Sequence, residues 1–156
     1  MFYYTGEHSV TFKKDNQTRN SWTNWGLVPS SRPVIAQASY VEKYVDIPGR
    51  DGQYDLTDWL LTSRPNYTDR QGTLEFYVTN DKRNIAYKTW EALRTEIANF
   101  LNGQKIELTL ADDPDYYYVG RCRLSDWKNE ANYSRVTIEY KLEPYKINIV
   151  SKVGKL

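Results

Sequence analysis

The chain has 156 residues, the size of one domain, and folding should bury roughly 70% of the surface that the unfolded chain exposes. Its 21 Lys and Arg residues nearly balance its 20 Asp and Glu residues, and the net charge of +1 disfavours nucleic-acid binding through a basic patch. A single cysteine and a single histidine exclude an internal disulfide and supply too few ligands for a cysteine-histidine metal site.

Two further features bear on location and partners. The sequence has no apolar run long enough to cross a bilayer, and its N-terminus lacks the basic start, apolar stretch and cleavage site of a signal peptide. These features predict synthesis in the cytosol and no membrane partner. The 14 Tyr and 5 Trp residues are spread along the chain, which favours strands, interfaces and a large binding partner.

The N-terminal part is predicted to contain two short strands and an extended arm. The strands are Phe2–Tyr4 and Ser9–Phe12, and the arm covers about residues 13 to 34. Trp22 and Trp25 lie in this arm beside prolines that forbid a continued helix, and two tryptophans are rarely left in solvent. The arm is therefore either a lid over its own core or a segment that docks on a neighbouring subunit, and the sequence favours neither.

The middle of the chain combines strands and turns with one long helix. Residues 34 to 47 are predicted as a strand region, 48 to 52 (PGRDG) as a tight turn, and 55 to 61 as one helical turn. A strand over 73 to 79 follows. The helix is predicted to begin at Asn84 as N-cap and to close at Asn102-Gly103. Its apolar stripe is formed by Tyr87, Trp90, Leu93, Ile97, Phe100 and Leu101.

The last third is predicted as a three-strand meander. Residues 104 to 110 form the first strand, and 112 to 145 form a hairpin, because two runs of alternating polarity flank a polar segment. Residues 112 to 115 supply the turn before the hairpin, residues 126 to 132 supply its connection, and Pro144 ends the pairing. The end of the chain, 151 to 156, is predicted to be frayed or a linker. The apolar face of the hairpin contains Tyr116, Tyr118, Cys122, Leu124, Val136, Ile138, Tyr140 and Leu142.

The sequence contains no convincing catalytic set. One histidine and one strand-embedded cysteine cannot build a Ser-His-Asp or Cys-His arrangement. Asp112, Asp113 and Asp115 could hold calcium or act as a hydrolase pair, but around Pro114 they are better interpreted as turn residues. A glycosidase carboxylate pair stays open, since such pairs have no fixed spacing. We predict a protein that is not an enzyme and that uses no cofactor and no metal.

Four blocks of the sequence carry a family resemblance. The first block is Trp22 and Trp25 with the following LVPSSRP, and the second is the VDIPGRDG of residues 45 to 52 with Leu56. The third is the Trp90 helix ending at Asn102-Gly103, and the fourth runs from DDPDYYYVGR, which begins at residue 112, to EPYK, which ends at residue 146. In their order and spacing these blocks resemble the distal tail proteins of phages with long, non-contractile tails. The resemblance covers nearly the whole chain.

The resemblance implies a fold and an assembly. The fold is a mainly β (α+β) structure, an antiparallel β-sandwich of tail-tube type with one packed α-helix and the arm, over residues 1 to 147, followed by a C-terminal tail over 148 to 156. The assembly is a homo-hexameric ring at the tail tip of the virion, made in the host cytoplasm. It would join the tail tube protein to the hub and receptor-binding proteins, with DNA crossing its lumen. The near-zero net charge permits the neutral-to-acidic lumen that the passage of a polyanion requires. Many members continue into a second, carbohydrate-binding-like β domain, whereas this sequence ends soon after the first domain.

A second class of function stays open at this stage. A sandwich with exposed tyrosines and tryptophans could be a carbohydrate-binding module, in which sugar rings stack on aromatic faces. Glycan binding by a monomer would favour the module, and ring assembly without glycan binding would favour the tail protein. The residues predicted to contact a neighbouring subunit or another partner are Trp22, Trp25, Leu27, Pro29, Arg32, Pro33, Arg50 and Trp127.

Overall fold

Antiparallel strand pairing organises the computed structural model, which describes residues 5–56, 66–79 and 90–156. A single α-helix, α1 (Trp90–Leu101), lies in these ranges. The fold is of the antiparallel β-sandwich type with one packed helix, as the sequence predicts. The strands are β1 (Val10–Lys14), β2 (Gln17–Asn20), β3 (Val28–Pro29), β4 (Tyr44–Asp46), β5 (Gln53–Asp55), β6 (Arg70–Thr79), β7 (Lys105–Leu110), β8 (Asp113–Asn129), β9 (Tyr133–Leu142), β10 (Lys146–Asn148) and β11 (Gly154–Lys155).

The long strand β8 is the centre of the main sheet, whose strand order is β2-β1-β7-β8-β9-β6-β3. Its first half pairs with β7, and its second half, from Gly120 onward, pairs with β9. A Cβ atom at Gly120 would lie 2.2 Å from the carbonyl oxygen of Lys141 and 2.6 Å from the Cα atom of Leu142. Only glycine lets the two backbones approach so closely at the point where β8 changes partner.

The alternating faces of the predicted hairpin are confirmed. Val136, Ile138, Tyr140 and Leu142 are buried along β9, because every second side chain of a strand points to the core. The flanking turns are shorter than predicted. Ala111 and Asp112 alone form the turn between β7 and β8, and β8 continues through Trp127 to Asn129, past a bulge between Leu124 and Asp126. The connection predicted over 126 to 132 is thus reduced to residues 130 to 132.

The helix packs its predicted stripe against the core. Leu93, Ile97, Phe100 and Leu101 are buried, and Trp90 is partly buried against the same cluster. Asn102 and Gly103 both have positive φ angles, 35° and 63°, so the predicted helix end is confirmed. The predicted start at Asn84 and the side chain of Tyr87 lie outside the described residues. The strands predicted around residues 9, 73 and 104 are observed as β1, β6 and β7 with slightly different ends.

The strand region predicted over residues 34 to 47 is wrong. Only Tyr44–Asp46 forms a strand, and it pairs with Gln53–Asp55 in a separate two-stranded sheet. Residues 35 to 38 are held by side chains instead of a ladder: the Ala36 N–H donates to the Tyr140 hydroxyl at 2.7 Å, and Arg70 donates to the Ala36 carbonyl at 3.3 Å. The predicted helical turn at 55 to 61 falls mostly outside the described residues, although Asp55 belongs to β5.

The C-terminal residues are ordered into a hairpin. Lys146 and Ile147 pair with Lys155 and Gly154, and Ile147 also pairs with Tyr117 of β8. Pairing therefore resumes after Pro144, although β9 ends at Leu142 as predicted. The prediction that 151 to 156 is frayed or a linker is wrong, because Gly154 and Lys155 pair with β10, which is in turn held against β8. The strand predicted at Phe2–Tyr4 lies outside the described residues.

Candidate assembly surface

The arm predicted over residues 13 to 34 folds onto the body of its own chain. Its start belongs to β1 and to β2, which pair as a hairpin, and its later part forms β3 at the other edge of the sheet. Trp25 and Leu27 are completely buried in the core. The Trp25 ring lies 5.6 Å from the Phe12 ring and 5.8 Å from the Phe100 ring, measured between centroids. The lid alternative describes this segment better than an extended arm does.

A carboxylate completes the surroundings of Trp25. The indole Nε1 donates a hydrogen bond to Glu96 of α1, and the Arg19 Nε atom lies 3.5 Å from the other oxygen of the same carboxylate. Lys14 donates from Nζ to the Phe100 carbonyl at 3.0 Å. Trp25 therefore ties the segment to the helix through both its apolar ring and its polar atom. This side chain has no exposed surface left for a partner.

The other predicted contact residues are distributed between half-buried and exposed positions. Trp22 is half-buried in a turn, and its backbone carbonyl accepts a hydrogen bond from the Gly26 N–H at 2.8 Å. Pro29 and Pro33 are partly buried, and Arg32 is exposed. Trp127 is partly buried against the core and donates from Nε1 to the Asn129 side chain at 2.7 Å.

Arg50 belongs to a different part of the surface, the tip of the hairpin formed by β4 and β5. The Arg50 guanidinium lies over the Tyr54 ring, 4.8 Å from the centroid. The Arg50 backbone N–H donates to the Ile47 carbonyl at 3.2 Å. Gly49 and Gly52 have φ angles of 79° and 74°, which suit glycine in the predicted turn. Residues 39 to 53 are all exposed, so the hairpin offers both of its faces to a partner.

Exposed apolar side chains single out two segments that the sequence did not single out. In the described part of the chain, every large apolar side chain that is exposed lies in residues 34 to 47 or in residues 145 to 156. Soluble monomers rarely concentrate apolar surface in this way unless it binds something. We call these segments the hairpin patch (34–47) and the tail patch (145–156). Their exposed members are Val34, Tyr40, Val41, Tyr44, Val45 and Ile47, and Tyr145, Ile149, Val150, Val153 and Leu156.

A short line of tyrosines connects the two patches. Tyr40 pairs with Tyr67 in an isolated bridge, and the Val41 N–H donates to the Asn66 carbonyl at 2.6 Å. The Tyr67 ring meets the Tyr145 ring edge to face, with centroids 6.1 Å apart. Tyr67 thus lies beside a residue of each patch, Tyr40 through a backbone bridge and Tyr145 through a ring contact.

Acidic neighbours raise the pKa values of ionisable groups in both patches. A hydrogen bond with Glu42 raises the pKa of the Tyr40 phenol to about 12, and the negative charge of Glu42 also raises the pKa of Tyr44. On the tail side, Lys146 donates to Asp113 at 2.7 Å, and this hydrogen bond raises the pKa of the Lys146 ammonium group. Both tyrosines are therefore neutral hydrogen-bonding groups at neutral pH, and Lys146 is positively charged.

Chemically reactive groups do not converge at this surface. Burial raises the pKa of the Cys122 thiol to about 12, so the thiol is protonated and inert at neutral pH. Arg70 is buried and spans two backbone carbonyls, those of Ala36 and Pro144, with its guanidinium over the Tyr118 ring. Within residues 5–56, 66–79 and 90–156, no three metal-ligating side chains cluster, and no helix is long and apolar enough to span a membrane.

Comparisons with known proteins give the family and an independent view of the fold. No curated protein matches the chain. Among solved structures, the crystal structure of SPP1 Dit (gp 19.1), described as a paradigm of the hub adsorption apparatus in phages that infect Gram-positive bacteria, matches with a TM-score of 0.57 and 20% identity. The match covers 89% of this chain and 52% of SPP1 Dit, so this chain spans about half the length of that protein. Residues 21–147 match the model of the phage tail protein RIFT-related domain, and the chain therefore belongs to this family of phage tail proteins.

Proposed function

We propose that the protein is a ring-forming adaptor at the tip of a phage tail. The ring would join the tail tube protein above to the hub and receptor-binding proteins below, and DNA would pass through its lumen without specific binding. The family of phage tail proteins and the fold shared with SPP1 Dit support this role. The adaptor would be assembled in the host cytoplasm and would have no catalytic activity.

The observation that carries the proposal is the exposed hairpin of β4 and β5. Among the described residues its strands pair only with each other, outside the main sheet, and the hairpin leaves Tyr44, Val45 and Ile47 partly exposed to solvent. These side chains keep 39–44% of their surface exposed, and completing the burial of each would contribute on the order of 1 kcal/mol that a monomer does not gain. A subunit with neighbours on several sides gains a contact surface. The exposed members of the predicted contact set, Arg32 and Arg50, stay candidates for such contacts.

The experiment is negative-stain electron microscopy of the purified protein and of intact tails, combined with light scattering. We expect a six-fold ring, formed either by the protein alone or on its tail partners. The lumen should be neutral to acidic, because each phosphate neutralised by Lys or Arg would slow the passage of DNA. A strict monomer even within the tail-tip complex, or a pore lined with Lys and Arg, would contradict the proposal.

The exposed tyrosine rings favour one alternative, a carbohydrate-binding module for host-surface glycans. Tyr40, Tyr44 and Tyr145 offer aromatic surface on which sugar rings could stack. The aliphatic side chains between them are less suited to sugar than to another protein surface. Glycan-array binding by the monomer, lost in a Tyr40→Ala variant, would replace the adaptor proposal with this one.

A further inference from the structure

The hairpin patch and the tail patch carry opposite charges. The hairpin patch, residues 34 to 47, contains Glu42 and Asp46 against Lys43, and the rest of the hairpin, residues 48 to 56, adds Asp51 and Asp55 against Arg50. Residues 146 to 156 contain three lysines and no acidic residue, and because Lys146 is paired with Asp113, Lys152 and Lys155 carry the net positive charge of this segment. Each patch therefore combines exposed apolar side chains with one dominant sign of charge.

The tail patch is also held in a fixed shape. The Asn148 side-chain oxygen accepts from the N–H groups of Val150 and Ser151 at 2.9 and 3.0 Å, and the Lys152 N–H donates to the Asn148 carbonyl at 2.9 Å. The Ile149 N–H donates to the Asp115 carbonyl of β8 at 3.0 Å. Val150, which is 91% exposed, is thus displayed on an ordered loop. A surface ordered in advance loses less conformational entropy when it binds.

We propose that the hairpin patch of one copy docks on the tail patch of a second copy of this chain. This inference rests on the adaptor function proposed above and identifies the two faces of its subunit contact. Tyr44, Val45 and Ile47 would be buried against Ile149, Val150 and Val153, with Asp46 facing the lysines at the rim. The charges favour this pairing over pairing of like patches, because two hairpin patches would bring acidic groups together and two tail patches would bring lysines together.

The pairing of unlike patches has a geometric consequence. A contact that joins the hairpin patch of one copy to the tail patch of the next is heterologous when a third copy occupies the remaining patch, and its repetition gives a closed ring when the rotation between neighbours closes. Every subunit then donates one hairpin patch and accepts another. Because Tyr67 lies beside both patches of one chain, two copies that exchanged both contacts would instead form an isologous dimer, which oxidation would trap as a dimer without a ladder. A contact between like patches would also stop at a dimer.

Disulfide trapping tests the pairing directly on the full chain. The native Cys122 is 1% exposed and does not interfere. A variant with Asp46→Cys and Lys152→Cys is expected to form a ladder of covalent oligomers on oxidation, whereas each single substitution is expected to form none. The control carries Glu91→Cys, on the exposed face of α1, with Lys152→Cys, and should remain monomeric on a denaturing gel. Ladders from the control, or dimers from the single Asp46→Cys variant, would overturn the inference.

Charge reversal provides a second test that does not depend on cysteine geometry. Lys152→Glu with Lys155→Glu is expected to weaken self-association roughly tenfold, and adding Glu42→Lys with Asp46→Lys should restore most of it. Circular dichroism and thermal melting of each variant confirm that the fold is intact. A ring that forms with unchanged affinity in the reversed variants would overturn this inference and leave the adaptor function standing. A wild-type protein that forms no ring, alone or in tails, would overturn both.

Discussion

Replacing Trp25 with alanine decides whether the segment from 13 to 34 is a lid of its own chain. The substitution removes a fully buried indole from between Phe12 and Phe100, and Trp-to-Ala changes in cores cost about 3–5 kcal/mol through lost transfer energy and a residual cavity. The lost hydrogen bond to Glu96 adds a smaller cost, because Arg19 remains beside that carboxylate. We expect a loss of about 4 kcal/mol, a large part of the roughly 5–15 kcal/mol that stabilises a typical domain.

Urea unfolding followed by circular dichroism measures this loss, and thermal melting should show a drop of about 8–16 °C. The matched control is Trp22→Ala, a half-buried tryptophan of the same segment, for which about 1 kcal/mol is expected. The loss for Trp25→Ala should be the same at every protein concentration, because the indole packs within one chain. A loss below about 1 kcal/mol, or one that appears only at concentrations where the protein associates, would refute the reasoning and favour docking on a neighbour.

Three further predictions concern the core. Trp90→Ala should lower the free energy of unfolding by about 3 kcal/mol. Trp90→Phe should lower it much less, because the Trp90 Nε1 atom has no hydrogen-bond partner among the described residues. Equal losses for the two variants in urea unfolding would contradict this explanation. Gly120→Ala should lower the free energy of unfolding by about 3 kcal/mol or prevent folding, because its Cβ would meet backbone atoms of β9. The control Gly103→Ala, which has open space around the Cβ but a positive φ angle, should lower it by about 1 kcal/mol. A Gly120→Ala variant as stable as the parent would show that β9 can move. The Cys122 thiol should react with a thiol reagent only after unfolding. Since its pKa is raised from 9.0 to about 12 in the folded state, its contribution to stability is complete below about pH 9 and is lost between pH 9 and 12, a slope that Cys122→Ala should remove.

Strands in which apolar and polar residues alternate could be predicted from the sequence. In β7, in β6 from Leu74 and in β9 from Val136, every second residue is apolar, and the local pattern indicates both the strand and its buried face. The helix stripe and the Asn102-Gly103 end are equally local. The errors have a common cause. Residues 40 to 47 show strand-like chemistry, but whether a strand joins the main sheet depends on partners distant in sequence.

The candidate surface was harder to predict than the fold. The sequence predicts Trp25 as a contact residue because tryptophans avoid solvent, but it does not show that Phe12 and Phe100 meet the indole within the same chain. The tail patch has no periodicity, and its order comes from hydrogen bonds to β8 and to Asn148. Only the family resemblance points to Arg50, and the strand predicted over 34 to 47 does not indicate that Tyr44, Val45 and Ile47 are exposed. An exposed apolar residue can be recognised only when the rest of the core is known.

The change of partner along β8 has a consequence for the rate of folding. The turns that join β7 to β8 and β8 to β9 are only two and three residues long, so these three strands can meet quickly after short loop closures. The outer pairs join residues that are distant in sequence, with Val10 opposite Leu110 and Arg70 opposite Leu142. The chain loses loop-closure entropy before such distant pairs contribute contacts, and their formation is therefore slow. We expect amides of the β7-β8-β9 meander to gain protection from hydrogen exchange before those of β1 and β6 during refolding, and simultaneous protection of all five strands would rule out this order.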